Sequence, residues 1–255
     1  MNPKWKNIWN IAKMAGLLIV IFGSIGLVEK EYSERICLSI NVDIDNQFEN
    51  YFINESDIID LITNGGERRI VGESFDDLNL KAIETELLNT KFIQDAEVFK
   101  DLEGNLMISI NQSRPIARMI SSKMSDRYIS NNGKILPLSK RYTARVVLID
   151  GTFADNPTLY DLYETESGKQ LMDLLKFIEE DEFWKAQIAQ MNIDKKGNVK
   201  IYTQVSKQVV EFGKPVEIQE KFMKLKIFYK EILPAKGWNS YNRVSVKFKD
   251  QIVCE

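Results

Sequence analysis

Between Ile8 and Val28 the only charged residue is Lys13, and from Met14 to Val28 nearly every residue is apolar. A helix crossing a bilayer needs about 20 such residues, so a run of this kind belongs in lipid or in a signal sequence rather than in a small soluble domain. Lys4 and Lys6 precede it, Glu29, Glu31 and Glu34 follow it, and Trp5 and Trp9 stand where an interfacial aromatic belt would lie. Positive charge on the leading side predicts residues 1–7 in the cytoplasm and everything after Val28 outside it. We therefore expect a retained single-pass anchor over 8–28, carried by Lys13, Leu17, Leu18, Ile19, Val20, Ile21 and Phe22, with Lys13 reaching back to the headgroups. The other reading is a cleaved signal peptide, with Ser24-Ile25-Gly26 as a poor cleavage site and no A-x-A. Both readings export the rest of the chain.

The exported part lacks most familiar catalytic equipment. There is no histidine, which removes Ser-His-Asp and Cys-His nucleophile systems and histidine zinc sites. The two cysteines, Cys37 and Cys254, form no Cys-x-x-Cys pair, and we expect both to be unpaired and buried. No glycine-rich phosphate loop occurs. Calcium would need alternating oxygen ligands before a glycine, and Asp194-Lys195-Lys196-Gly197-Asn198 does not supply them. No cofactor, metal or small-molecule substrate is expected.

The net charge of −3 hides an asymmetry: residues 29–112 carry 19 acidic and 7 basic side chains, and residues 113–255 carry 18 and 24. The sign change predicts two units meeting near residue 112. The basic half interleaves its lysines with acids and does not alternate them with aromatics, which argues against nucleic acid as a partner.

In the first unit, 29–112, Leu38, Ile40, Val42 and Ile44 alternate with polar residues and predict a strand with one buried face. Asn54 and Asp57 cap a helix whose stripe is Ile58, Ile59, Leu61 and Ile62, ended by Gly65-Gly66. Asn79 caps a second helix with Ile83 and Leu87. Residues 96–99 and 106–110 flank a turn with Gly104 and predict a hairpin. Strand, helix, helix, strand, strand gives an α+β unit with both helices on one face of a small sheet.

In the second unit, 113–255, residues 128–137 predict a strand, an Asn132-Gly133 turn and another strand. Further strands are expected at 146–149, 199–203 and 207–212. Two helices are expected at 168–184 and 213–229, the second stopped by Pro234. A final strand, about 243–253, has Val244, Val246 and Phe248 on one face and Ser245, Lys247 and Lys249 on the other. The fold class is α+β: an anchor helix, a β-α-α-β-β domain and a mixed β domain with two flanking helices.

A β-α-α-β-β unit directly outside a single anchor resembles a POTRA domain, and residues 91–98 are similar to that family's approach to its hairpin. Arg114, Pro115 and Ala117 resemble the exit strand of the FtsQ/DivIB bacterial cell-division proteins. The 128–137 hairpin, the strand ending at Gly151, the helix near Lys224 and Leu225, and the closing strand resemble that family's β domain in the same order. The resemblance covers nearly the whole exported chain. It departs from the family pattern at Ser130, where an aspartate is usual, and over 244–248. It implies a non-catalytic scaffold of the division machinery in the cytoplasmic membrane, with its bulk in the periplasm at the septum. It implies recruitment of small single-pass partners of the FtsB and FtsL type by strand addition. Carried over residue by residue, the partner-binding set is Phe248, Asp250, Gln251 and Ile252, with Arg243 and Lys247 as rim charges. Phe248 reads equally as core or as interface.

The competing reading is an exported or membrane-anchored cell-wall hydrolase working with carboxylates alone. Asp150, Asp155, Asp161, Glu164 and Glu166 could supply a pair. Lys207 and Lys214 are the lysines that burial could activate.

Overall fold

The computed structural model describes residues 13–14, 16–20, 22, 36–45 and 51–255. The chain divides into two compact units, one holding the strand at 40–45 together with Ile53–Gln112, the other holding Tyr51, Phe52 and Ser113–Glu255. The architecture is α+β in both.

The first unit has β1 (Ile40–Asp45), α1 (Glu55–Ile62), α2 (Leu80–Leu88), β2 (Ile93–Lys100) and β3 (Leu106–Gln112). Its sheet order is β1-β3-β2, with β1 parallel and β2 antiparallel to the central strand. The expected caps are present. Asn54 accepts from the Asp57 N–H while the Asp57 carboxylate accepts from the Asn54 N–H, closing a reciprocal box, and Asn79 accepts from Ala82. Each capped amide would otherwise lack a partner at its helix start. Ile58, Ile62, Ile83 and Leu87 of the helices and Leu106, Ile108 and Ile110 of β3 are all buried.

The second unit is built on nine strands in the order β12-β11-β10-β9-β8-β7-β4-β5-β6. They are β4 (Pro115–Met119), β5 (Arg127–Ser130), β6 (Ile135–Pro137), β7 (Val147–Asp150), β8 (Ile188–Ile193), β9 (Val199–Thr203), β10 (Val209–Gly213), β11 (Arg243–Ser245) and β12 (Val253–Cys254). The helices are α3 (Glu166–Glu180), α4 (Glu182–Gln187), α5 (Ile218–Ile227) and α6 (Leu233–Lys236). Met191, Ile193, Ile201, Phe212 and Val244 of the strands, and Val246 just beyond β11, share one core with Leu171, Leu175, Trp184, Phe222 and Leu225 of the helices.

Three expectations are corrected. The helix expected over 168–184 is two helices, because Asp181 takes extended backbone and caps α4, accepting from the amides of Phe183 and Trp184. Pro234 does not stop its helix: a π-turn over Phe228–Ile232 widens the ladder, and Pro234 falls in the first turn of α6, where its missing N–H costs nothing. Gly237, at φ 104°, is the stop. The helical side therefore carries more than two elements. The single closing strand over 243–253 is replaced by two short strands, described below.

Two hairpins use one turn. In Asp101–Asn105 and again in Asp194–Asn198 the aspartate Oδ1 accepts two backbone amides and its Oδ2 accepts the asparagine side chain. Gly104 and Gly197 take left-handed backbone, at φ 93° and 77°. These bonds favour the ionised aspartate. The Asn105 amides hold Asp101 below the usual carboxylate range, and the Asn198 side chain does the same for Asp194. A carboxyl depressed by folding contributes stability above its unfolded pKa and loses it as pH falls through the folded one. Asn198→Ala should move the Asp194 titration upward toward the ordinary aspartate value, read by NMR, and shrink that acid-side loss. An unmoved Asp194 titration would show that the asparagine is not the cause.

Gly168 lies where α3 crosses the turn before it. An added Cβ would sit 2.0 Å from the Leu162 carbonyl oxygen, a backbone atom that cannot rotate away. Gly168→Ala should destabilise the second unit by about 1–3 kcal/mol, the usual cost of overpacking. A melt unchanged from the parent would contradict this.

Candidate functional site

An open sheet must end in two edges, and these are the places where another chain can add a strand. Here the two edges differ. At β6 the Ile135 N–H, which points outward, donates to the Tyr160 carbonyl at 2.9 Å, and Lys134 bridges to Asp161. The next outward position is Pro137, which has no N–H. That edge is closed.

The other edge is β12. Glu255 and Arg243 exchange both backbone bonds, at 2.9 and 3.0 Å. Val244 faces Cys254, and Ser245 faces Val253. In an antiparallel ladder successive residues point their amide groups to alternate sides. Glu255 and Val253 therefore face β11, and the N–H and C=O of Cys254 face the other way. Among the described residues no strand lies on that side.

The predicted partner-binding residues surround this edge without forming one strand. Arg243 starts β11, but it is not an unengaged rim charge: it pairs with Glu211 at 2.9 Å and also with Glu255. Lys247 pairs with Glu211 at 3.3 Å and lies 4.9 Å from the Phe248 ring centroid. Burial alone would raise the Glu211 carboxyl, but bonds from Lys247 and Arg243 bring it below the usual range. Phe248 is 44% exposed, whereas Val244 and Val246 are fully buried. The alternation that would carry Phe248 into the core ends before it, because the chain turns at 248–250, with Asp250 in the left-handed region at φ 55°. Lys224 of α5 donates to the Phe248 carbonyl at 2.9 Å and pairs with Glu220, whose carboxyl it holds down. The Asp250 amide adds to that effect on Glu220. The loop is thus fastened to α5. Gln251 is exposed and Ile252 packs against the core.

Sequence reasoning missed that the edge is Val253–Cys254, reached by a reversal. Aspartate at a left-handed turn position was the available signal. It also missed the buried lysine. Lys207 and Lys214 are exposed, and it is Lys221 that is buried, donating to the Lys214 carbonyl at 2.7 Å beside the Phe212 ring. Burial pushes its ammonium below the usual lysine range.

Of the predicted anchor residues, Lys13, Leu17, Leu18, Ile19, Val20 and Phe22 are helical and exposed; Ile21 lies outside the described residues. Among the described residues no helix is long and apolar enough to cross a membrane. Both cysteines are free: Cys37 is buried, and Cys254 only half-buried, against expectation.

Of the carboxylates of the hydrolase reading, Asp150, Asp155 and Asp161 are each held by donors of their own. Asp150 accepts from Gln190 and Asn192, each at 2.7 Å. Asp155 accepts from Ser121 and Ser122, which lower its carboxyl. Asp161 accepts from the Tyr163 amide. Of two cavities of this unit, one of about 410 Å³ has Glu179 as its single acid, and one of about 210 Å³ has Glu166. Neither supplies the two carboxyls that glycoside hydrolysis uses.

Comparison with known families gives two matches. Residues 114–255 match the model of the FtsQ/DivIB, C-terminal related domain, and residues 35–111 match that of the POTRA-like domain. No curated protein matches the chain.

Proposed function

Since the chain belongs to the FtsQ/DivIB family, whose domains point to a cell-division scaffold with protein partners in the division complex, we propose that it is a non-catalytic, bitopic scaffold that captures a partner strand on the free side of β12. The observation that carries this reading is the inequality of the two sheet edges. One is closed by the Tyr160–Leu162 segment and Pro137; the other leaves the Cys254 amide and carbonyl facing outward. Backbone hydrogen bonds to an added strand would supply affinity, and neighbouring side chains would supply choice. Phe248 and Gln251 are exposed beside that edge, and Lys249 guards it in its free state, as lysine does on natural edges. The partners are small single-pass proteins of the FtsB and FtsL type.

On this reading residues 8–28 hold the protein in the cytoplasmic membrane, with 1–7 in the cytoplasm and the two units outside it at the septum. The exposed helical Leu17, Leu18, Ile19, Val20 and Phe22 support it, since only lipid or another apolar surface would satisfy such a row. The two units, 29–112 and 113–255, act as separate domains. A fragment of residues 29–112 should melt cooperatively on its own; a molten fragment beside a folded 29–255 would mean one indivisible domain.

The edge is tested by Cys254→Pro, which removes the outward amide and no bond to β11. Calorimetry with the exported segments of FtsB- and FtsL-type partners should show binding weakened about fivefold to tenfold, the equivalent of one lost backbone hydrogen bond. Cys254→Ala should bind like the parent, and both variants should keep its melt. Parent-like binding by a folded Cys254→Pro protein would place recruitment on another surface.

A further inference from the structure

The first unit carries an apolar tip that its own core does not use. Ile36, Leu38, Val71 and Leu102 are 50%, 57%, 45% and 75% exposed. They come from three segments that the backbone ties together. The Cys37 amide donates to the Glu73 carbonyl at 2.8 Å, the Gly72 amide to the Cys37 carbonyl at 2.7 Å, and the Leu38 amide to the Gly104 carbonyl at 2.9 Å. Leu102 sits in the same turn as Gly104, between β2 and β3. An exposed apolar patch assembled from separate segments marks a contact surface.

The path of the chain says what the contact is. Ile40 pairs with Leu106, the first residue of β3 after the turn, and β1 then runs parallel to β3, away from the tip. The chain therefore enters this unit at the apolar tip. Only seven residues separate Val28, the end of the apolar run, from Ile36. Fully extended, that connection reaches at most about 28 Å. The tip is thus the end of the unit that the tether keeps nearest the membrane, at a high effective concentration of lipid surface.

We infer that Ile36, Leu38, Val71 and Leu102 rest in the interfacial region of the bilayer and seat the first unit on it. This rests on the anchored reading above. Exposed Glu103, half-exposed Glu73 and exposed Arg69, which donates to the Val71 carbonyl at 3.1 Å, border the patch, so charges of both signs ring it and the surface it suits is zwitterionic. The rest of the unit stays clear of lipid. Leu88, also exposed, ends α2 on the side where β2 begins. It lies the length of eight strand residues from the tip, about 26 Å.

The test uses the full chain in phosphatidylcholine vesicles, with Cys254→Ser as background and buried Cys37 left in place. A bimane label is attached in turn to Leu102→Cys, Leu88→Cys and Trp9→Cys, all in the otherwise intact protein. Doxyl-labelled lipid quenches what touches it. The label at 102 should lose most of its fluorescence and the label at 88 very little. Quenching at 9 without quenching at 102 would overturn the tip contact and leave the anchor standing. No quenching at 9 would overturn the anchored reading, and this inference with it. Equal quenching at 102 and 88 would mean that the unit lies on lipid without using the tip, and would also overturn it.

Discussion

Backbone amides that leave water need partners, and in an open sheet the outermost strands cannot give them all one. The second unit is organised around that constraint. Seven interior strands satisfy each other. β6 is satisfied by a loop that returns over it and by a proline that has nothing to donate. β12 is reduced to two residues, and the loop before it is fastened to α5 through Lys224 and the Phe248 carbonyl. The unit thus limits its unsatisfied edge to one short, positioned stretch.

The helical layer lies on one face of this sheet. Phe222 is in ring contact with Phe177, Trp184 and Phe212, so α3, α4, α5 and β10 share one aromatic cluster. The opposite face carries polar pairs between β7 and β11: Asp150 accepts amides from β8, and Glu211 holds Arg243 and Lys247. Those ion pairs link β10 to β11 and to the chain just beyond it, and Arg243 carries the link on to Glu255. Exposed pairs of this kind add little stability one by one. Their consequence is geometric, since they fix where the short strands at the edge end up relative to the rest of the sheet.

Much of this was legible in the residues. Asn54 and Asn79 cap helices because a short side-chain oxygen can reach the amide three positions on, and that reach is local. Gly104, Gly133 and Gly197 mark turns because their backbone is left-handed at φ 93°, 85° and 77°. The alternation in β3 reads directly as one buried face; that in β1 gives only a half-buried one, and Leu38 falls outside the strand and is exposed. The readings that failed did so where a local rule met a distant neighbour. Pro234 is a stop in isolation, yet the π-turn before it shifts the ladder so that Pro234 falls in the first turn of α6. Phe248 continues the alternation of Val244 and Val246 on paper, yet the chain has already turned.

The sequence by itself determined the apolar run, the two units of opposite charge, most strands and helices, the caps and the turns. Each depends on side chains within a few residues of one another. Only the tertiary structure decided that β12 and not β11 is the last strand, that β6 is covered, that Arg243 is already paired, and that Ile36, Leu38, Val71 and Leu102 form one patch. Strand order, edge coverage and patches built from separate segments arise from contacts between residues far apart in the chain. No local pattern records which distant backbone will arrive to satisfy a given amide.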